Sequence, residues 1–276
     1  MAQIHDFSIG AHAGVAIYNT KDNLKNLPGA ATGIDLAYTA RGVIANQTAL
    51  GIKFGAGIAY AGATQSLPDY FEQYTNTDYY PEMMDYTITA AKYKENQHQI
   101  QLEAPIYLSF ITYGVTVNIG AKFMMPFFQK RHIDVADAHI TAYYPDFWVP
   151  VTDYLATGRL ENNEYHAKEN SNMPKLNALL SIEIGYEWNV GYKNKLGVQA
   201  YLDYGIWNNY SNNPSKERLI DVDPILNTEY PVPEIKVNAL TDTYSDHVKY
   251  ISAGIKVYFA FHTEIPRVAP CRCAYD

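Results

Sequence analysis

The stretch RHIDVADAHITAYY, residues 131–144, gathers His132, Asp134, Asp137 and His139, side chains that could activate a water molecule or hold a metal ion. An imidazole beside a carboxylate can act as a general base, and the same mixture of nitrogen and oxygen donors suits a transition metal. All four lie in one polar stretch between apolar segments, however, and a solvated loop explains them equally. The triplet Asp221–Val222–Asp223 offers carboxylates to a calcium ion, but far fewer oxygens than the six to eight such an ion takes. Ser211, Ser215, Ser245 and His247 supply the parts of a hydrolase triad without an elbow motif around any serine. Cys271 and Cys273, in PCRCAYD, are too few for a zinc site of their own and read as tail thiols or as half of a bridge to something else. No catalytic residue, metal ligand or cofactor is therefore assigned. A net charge of -8 without a dense Lys/Arg cluster excludes nucleic acid as a partner.

The elements that would have to position such groups are strands. Of 276 residues 25 are Tyr and only 18% are charged, a bias towards strand formers. In LGVQAYLDYGIWNNY (196–210) the even positions Leu196, Val198, Ala200, Leu202, Tyr204 and Ile206 are apolar, whereas the odd ones include Gln199 and Asp203. Side chains alternate across a strand, so one face is hydrocarbon and the other carries a charge. The same alternation recurs over 7–17, 34–40, 50–60, 100–110, 115–125, 176–188 and 251–261. Segments of about ten residues suit tilted membrane strands. The uncharged stretch 104–121, long enough for a membrane helix, carries Pro105 and Gly114 and reads better as two strands joined at Thr112–Gly114.

The second face is glycine-rich and carries charges of both signs. On it fall Lys53, Lys122 and Lys256, against Asp35, Glu103, Glu183, Glu187 and Asp203. A face pointing to open water would favour long charged side chains, so this one is assigned to a narrow lumen. There the eight charges must pair, and Tyr107, Tyr201, Tyr250 and Tyr258 help to occlude it. The expected fold is thus all-β, an eight-stranded antiparallel up-and-down transmembrane β-barrel. Connections near 41–48, 112–114 and 189–195 are short; those near 19–30, 62–97, 127–174 and 208–247 are long. Short periplasmic turns and long extracellular loops are the habit of such barrels, and an even strand number puts both termini on the short-turn side. Residues 4–262 are assigned to the barrel and 263–276 to a periplasmic tail. MAQIHDFSIG enters the alternation without a signal-peptide pattern, as a mature chain would.

The segments FSIGAHAGVAIY, QIQLEAPIYLSF, VTVNIGAKFMMP, AYLDYGIWNNY and ISAGIKVYFAF together resemble the OmpA-like outer-membrane barrels of Bacteroidota, over residues 4–262. The resemblance implies the bacterial outer membrane, lipopolysaccharide as lipid partner, and a protein partner or peptidoglycan on the periplasmic side. Many such barrels continue into a peptidoglycan-binding domain, and others serve β-barrel assembly or type IX secretion. A non-enzymatic anchor or interaction subunit is the expected role; a rim-active hydrolase or acyltransferase, or a small channel, are the competing ones. The aromatic segments 69–80 and 143–154 offer Tyr79, Tyr80, Tyr143, Tyr144 and Trp148 to a partner, or else serve as interfacial girdle.

Overall fold

The computed structural model describes residues 3–20, 24–45, 47–77, 83–146, 148–151, 164–169, 176–191, 193–207, 218–223, 234–237, 240 and 248–263. Its strands are β1 (Gln3–Thr20), β2 (Lys25–Ala45), β3 (Thr48–Thr77), β4 (Met83–Thr112), β5 (Val115–Tyr144), β6 (Val149–Val151), β7 (Glu164–Glu169), β8 (Asn177–Asn189), β9 (Asn194–Gly205), β10 (Ile220–Asp223), β11 (Glu234–Val237) and β12 (Val248–Thr263). Pairing runs β1-β2-β3-β4-β5-β8-β9-β12 and returns from β12 to β1, each pair antiparallel. The expected eight-stranded barrel is therefore the observed one. Thr112 pairs directly with Val115, so Tyr113 (φ 49°) and Gly114 (φ 86°) form a two-residue turn with both residues left-handed, the twist-matched type I′.

The ring is inside out with respect to a soluble protein. Its outward positions are hydrocarbon and bare, as at Leu108 (65% exposed) and Ile34 (63%), while inward ones such as Gln101 (0%) are polar and buried. So large an apolar belt is stable only against lipid, and a closed ladder leaves no backbone group unpaired there. Aromatic contacts gather at the short-turn end of this belt: Phe7–Tyr38 (ring centroids 4.9 Å), Tyr38–Phe54 (5.2 Å), Tyr186–Trp188 (5.1 Å) and Phe259–Phe261 (5.0 Å). Rings that are part apolar and part polarisable favour the lipid–water boundary. A barrel of this kind should stay closed in unheated SDS, migrating differently from a boiled sample and giving a strand-dominated circular dichroism spectrum. A single, heat-independent band with a helical spectrum would contradict the fold.

The connections expected to be long loops prove different in kind. Residues 62–77, 83–97 and 127–144 continue β3, β4 and β5 as an extended three-stranded sheet beyond the barrel. Beyond the buried Gln65, Glu95 and Arg131 the polarity of its interior inverts. Tyr70, Met84, Tyr86, Ile88, Tyr93, Ile133 and Val135 point inwards and join Leu219, Ile220 and Val222 of the β10 region in a buried apolar core. Within the head the parity of the strands also changes, along one line across the sheet. Asp69 (φ 52°) and Asp137 (φ 52°) are left-handed, and Ala91 between them pairs with neither. A left-handed residue in a strand turns two successive side chains to one side, so each strand exchanges its inward and outward parity at that level. On β4 the buried positions accordingly run 84, 86, 88 and 90 above the line and 93, 95 and 97 below it. The protein thus consists of a membrane barrel with a polar interior and a head with an apolar one.

Within the head, the Val222 amide donates to the Tyr74 hydroxyl at 2.8 Å, and the Arg218 guanidinium lies 3.5 Å from the centre of the Tyr74 ring. Burial pushes this hydroxyl well above the ordinary tyrosine range, so it stays protonated. Its contribution is present below the unfolded value near 10 and declines as pH rises from there towards the folded one. Tyr74→Phe leaves the Val222 N–H without its acceptor and should cost about 1–2 kcal/mol. Faster amide hydrogen exchange at Val222, with barrel strands unaffected, is the expected reading; unchanged exchange would remove the contact from the head's stabilisation.

Candidate functional site

Strand parity places Asp35, Lys53, Glu103, Lys122, Glu183, Glu187, Asp203 and Lys256 inside the barrel, all buried. Lys122 Nζ lies 2.7 Å from Asp203 and 3.6 Å from Glu103. Lys53 Nζ lies 2.7 Å from Glu183, which also receives Lys256 at 3.2 Å, and Lys256 donates to Asp35 at 2.6 Å. Neutral donors complete several carboxylates: Ser181 and Ser252 to Asp203 (2.5 and 3.1 Å), Asn118 to Glu183 (2.9 Å) and Gln101 to Glu103 (2.8 Å). Lys53 also sits 5.5 Å from the ring centres of Tyr107 and Tyr258. Attraction in so dry a space offsets the desolvation of the charges only while each keeps its partner.

A second cluster, at the short-turn end, escaped the sequence reading. Arg41 reaches Asp6 (3.1 Å) and Glu187 (3.3 Å), Lys195 reaches the same two carboxylates (3.0 and 3.8 Å), and His262 Nδ1 lies 2.8 Å from Asp6. Asp6, Arg41 and Lys195 continue the inward parity of β1, β2 and β9: Asp6 lies one inward step before Ser8, Arg41 one after Thr39 and Lys195 one before Gly197. Parity extended by two residues would have found these three.

Towards the head the lumen charges thin out to a single buried pair, Arg131 and Glu95 at 3.6 Å. The next inward positions after Lys122, Ser181 and Ser252 are Met124, Leu179 and Tyr250, which pack with Ala16, Tyr18, Ala31, Ala61, Ala63 and Val248 in one buried cluster. An apolar layer therefore lies across the lumen above the charge network. Beside it, β3, β4 and β5 keep polar inward positions, Gln65, Gln97, Gln99 and Gln129 among them: Gln99 donates to Gln101 (2.6 Å), and Gln97 to Gln65 (3.1 Å) and Glu95 (2.6 Å). Below the layer is a cavity with room for a single water-sized occupant, lined by His12, Asp35, Glu103, Lys122, Tyr201 and Lys256 among others. Asp35 Oδ1 and the Tyr201 hydroxyl, both without a protein partner, suit a bridging water there.

The other sequence candidates fare differently. His132, Asp134, Asp137 and His139 lie not in a loop but on β5, at the level of the head. His132 Nε2 is 3.0 Å from Asp134, which also receives Asn96 at 3.5 Å, so that pair is tied into the sheet. Asp221, Val222 and Asp223 are a strand, β10, paired with β11, and not a calcium loop. No group of three or more His, Cys, Asp or Glu suited to a metal occurs among the described residues. Of the aromatic candidates, Tyr144 packs against the head core, Tyr143 is partly buried beside it, and Trp148 is 83% exposed. Tyr79, Tyr80, Ser211, Ser215, Ser245, His247, Cys271 and Cys273 lie outside the described residues.

Fold and lumen together define a membrane-spanning eight-stranded β-barrel with a filled interior. No family model and no curated protein matches the chain. Among solved structures it is similar to Ail, the attachment invasion locus protein of Yersinia pestis, at 9% identity over 93% of this chain and 99% of that one, with a TM-score of 0.30. It is also similar to Neisserial surface protein A (11% identity, 91% and 95% covered, TM-score 0.26). A third is the outer membrane protease OmpT from Escherichia coli (7% identity, 95% and 97% covered, TM-score 0.27). Likeness this distant assigns no activity.

Proposed function

We propose that the protein is a non-conducting, non-enzymatic barrel of the bacterial outer membrane that anchors its head and serves as an interaction subunit. The observation that supports this reading is the filled lumen: paired charges occupy it, and Met124, Leu179, Tyr18 and Tyr250 pack in a buried apolar cluster on its head side. The OmpA-like resemblance supports the same membrane, with both termini in the periplasm, lipopolysaccharide around the belt, and peptidoglycan or a protein of an assembly or secretion complex as the periplasmic partner.

Planar bilayers test it. The purified protein is expected to show no stable conductance. Lys53→Ala with Lys256→Ala should remain tight, because the apolar layer lies beyond the charges; Met124→Gly with Leu179→Gly added should leak. Steady, ion-selective steps from the unmodified protein would refute the anchor in favour of a channel.

A further inference from the structure

Inside the barrel each lysine has a carboxylate; on its lipid face some have none. On the lipid face of β3, β4 and β5 the hydrocarbon belt ends at Tyr60, Ile100 and Phe128, and the next outward positions are His98 and Lys130, which pair directly across β4 and β5. Both are exposed. Lys130 Nζ stands 5.3 Å from the centre of the Phe128 ring, with no carboxylate partner among the described residues. His98 Nδ1 is 2.6 Å from the Tyr60 hydroxyl, and the two rings stack with centroids 6.1 Å apart. Gly62 gives this pair its room, since a Cβ there would fall 3.0 Å from the Tyr60 hydroxyl. Asp134, two outward positions further along β5, is engaged by His132 at 3.0 Å. Across the ring, at the same end of the barrel, Lys249 repeats the motif: its Nζ is 5.0 Å from the centre of the outward Tyr204 ring, again without a carboxylate among the described residues.

We propose that Lys130 and His98 form a seat for the phosphate of an anionic lipid headgroup at the head-side edge of the membrane. The flanking chemistry selects such a partner. Lys130 lays its methylenes along the belt and lifts its ammonium to the headgroup level. When the Tyr60 hydroxyl donates to Nδ1, the His98 ring proton sits on Nε2 and can donate to a phosphate oxygen. Phe128 and Ile100 immediately below meet the acyl chains, which a soluble anion lacks. The seat requires the barrel to lie in a membrane, but not a closed lumen, so failure of one proposal leaves the other standing.

Native mass spectrometry of the full chain, released from micelles containing phosphatidylglycerol or phosphatidylcholine, provides the test. The wild type should retain phosphatidylglycerol in preference, and Lys130→Gln with His98→Gln should lower that preference at least fivefold. Lys193→Gln, at the opposite end of the barrel, should leave it unchanged. Gel mobility of unheated samples confirms that each variant is folded. Equal retention of the two lipids by the wild type, or undiminished preference in the folded double variant, would overturn the seat. Loss of the preference in Lys193→Gln as well would also overturn it, reducing the effect to net charge.

Discussion

Lys122→Met is expected to destabilise the folded barrel by about 3–5 kcal/mol, the range for removing one partner of a buried ion pair. Lys122 is the ammonium between Asp203 (2.7 Å) and Glu103 (3.6 Å), so its loss strands two carboxylates at once. Ser181 and Ser252 still donate to Asp203, but neutral hydroxyls do not cancel a charge. Urea unfolding in micelles, followed by tryptophan fluorescence, measures the cost. Lys92→Met, at an exposed position on β4, should change stability by less than about 0.5 kcal/mol. Adding Asp203→Asn to Lys122→Met should cost less than the two single changes summed, because the second removes a charge the first left unpaired. Equal and small effects at Lys122 and Lys92 would show that the inward charges are solvated.

Gly14→Val should prevent closure altogether. Gly14 pairs with Gly254 across β1 and β12. A Cβ on Gly14 would lie 2.6 Å from the Gly254 Cα and run into the Ala253 carbonyl oxygen, with backbone and no flexible side chain to give way. The same holds for Gly254→Val, whose Cβ would meet the Gly14 Cα at 2.6 Å. Both variants should lack the fast-migrating unheated band, whereas Ala11→Val, on the outward face of β1, should keep it. A closed Gly14→Val barrel would mean that the seam is looser than its register implies.

The ring was legible because each membrane strand repeats one rule, apolar out and polar in, for ten residues or more. The lumen charges followed from that parity: Asp203 is polar among apolar alternates, and it is buried among donors. The apolar layer was not legible, because Met124 and Leu179 on the inward face look the same in composition as Met125 and Leu180 on the outward one; only their neighbours across the lumen distinguish them. The head reads as loops in the sequence for a related reason. Its strands keep the period of two but shift phase at Asp69, Ala91 and Asp137, and a shift of one residue cancels the signal in any window that spans it. His132 and Asp134 then looked like isolated polar residues, where they are the solvent side of a strand whose other side is Ile133 and Val135.

The seam between β1 and β12 also sets an order of events. His5 lies opposite Thr263, so the ladder that completes the ring joins the first and last strands of the barrel. The other seven junctions link strands in chain order, two of them across the head segments. Closing so long a loop before the intervening hairpins exist would cost on the order of 5 kcal/mol in chain entropy. Formation of the hairpins in sequence removes most of that penalty, which makes the terminal pairing the natural last step. Until then β1 and β12 both present bare edges, and that is the interval in which this chain is prone to aggregate. A circular permutant that covalently joins residues 5 and 263 and opens the chain at Tyr113–Gly114 would convert the slow seam into a local hairpin and should shorten the interval.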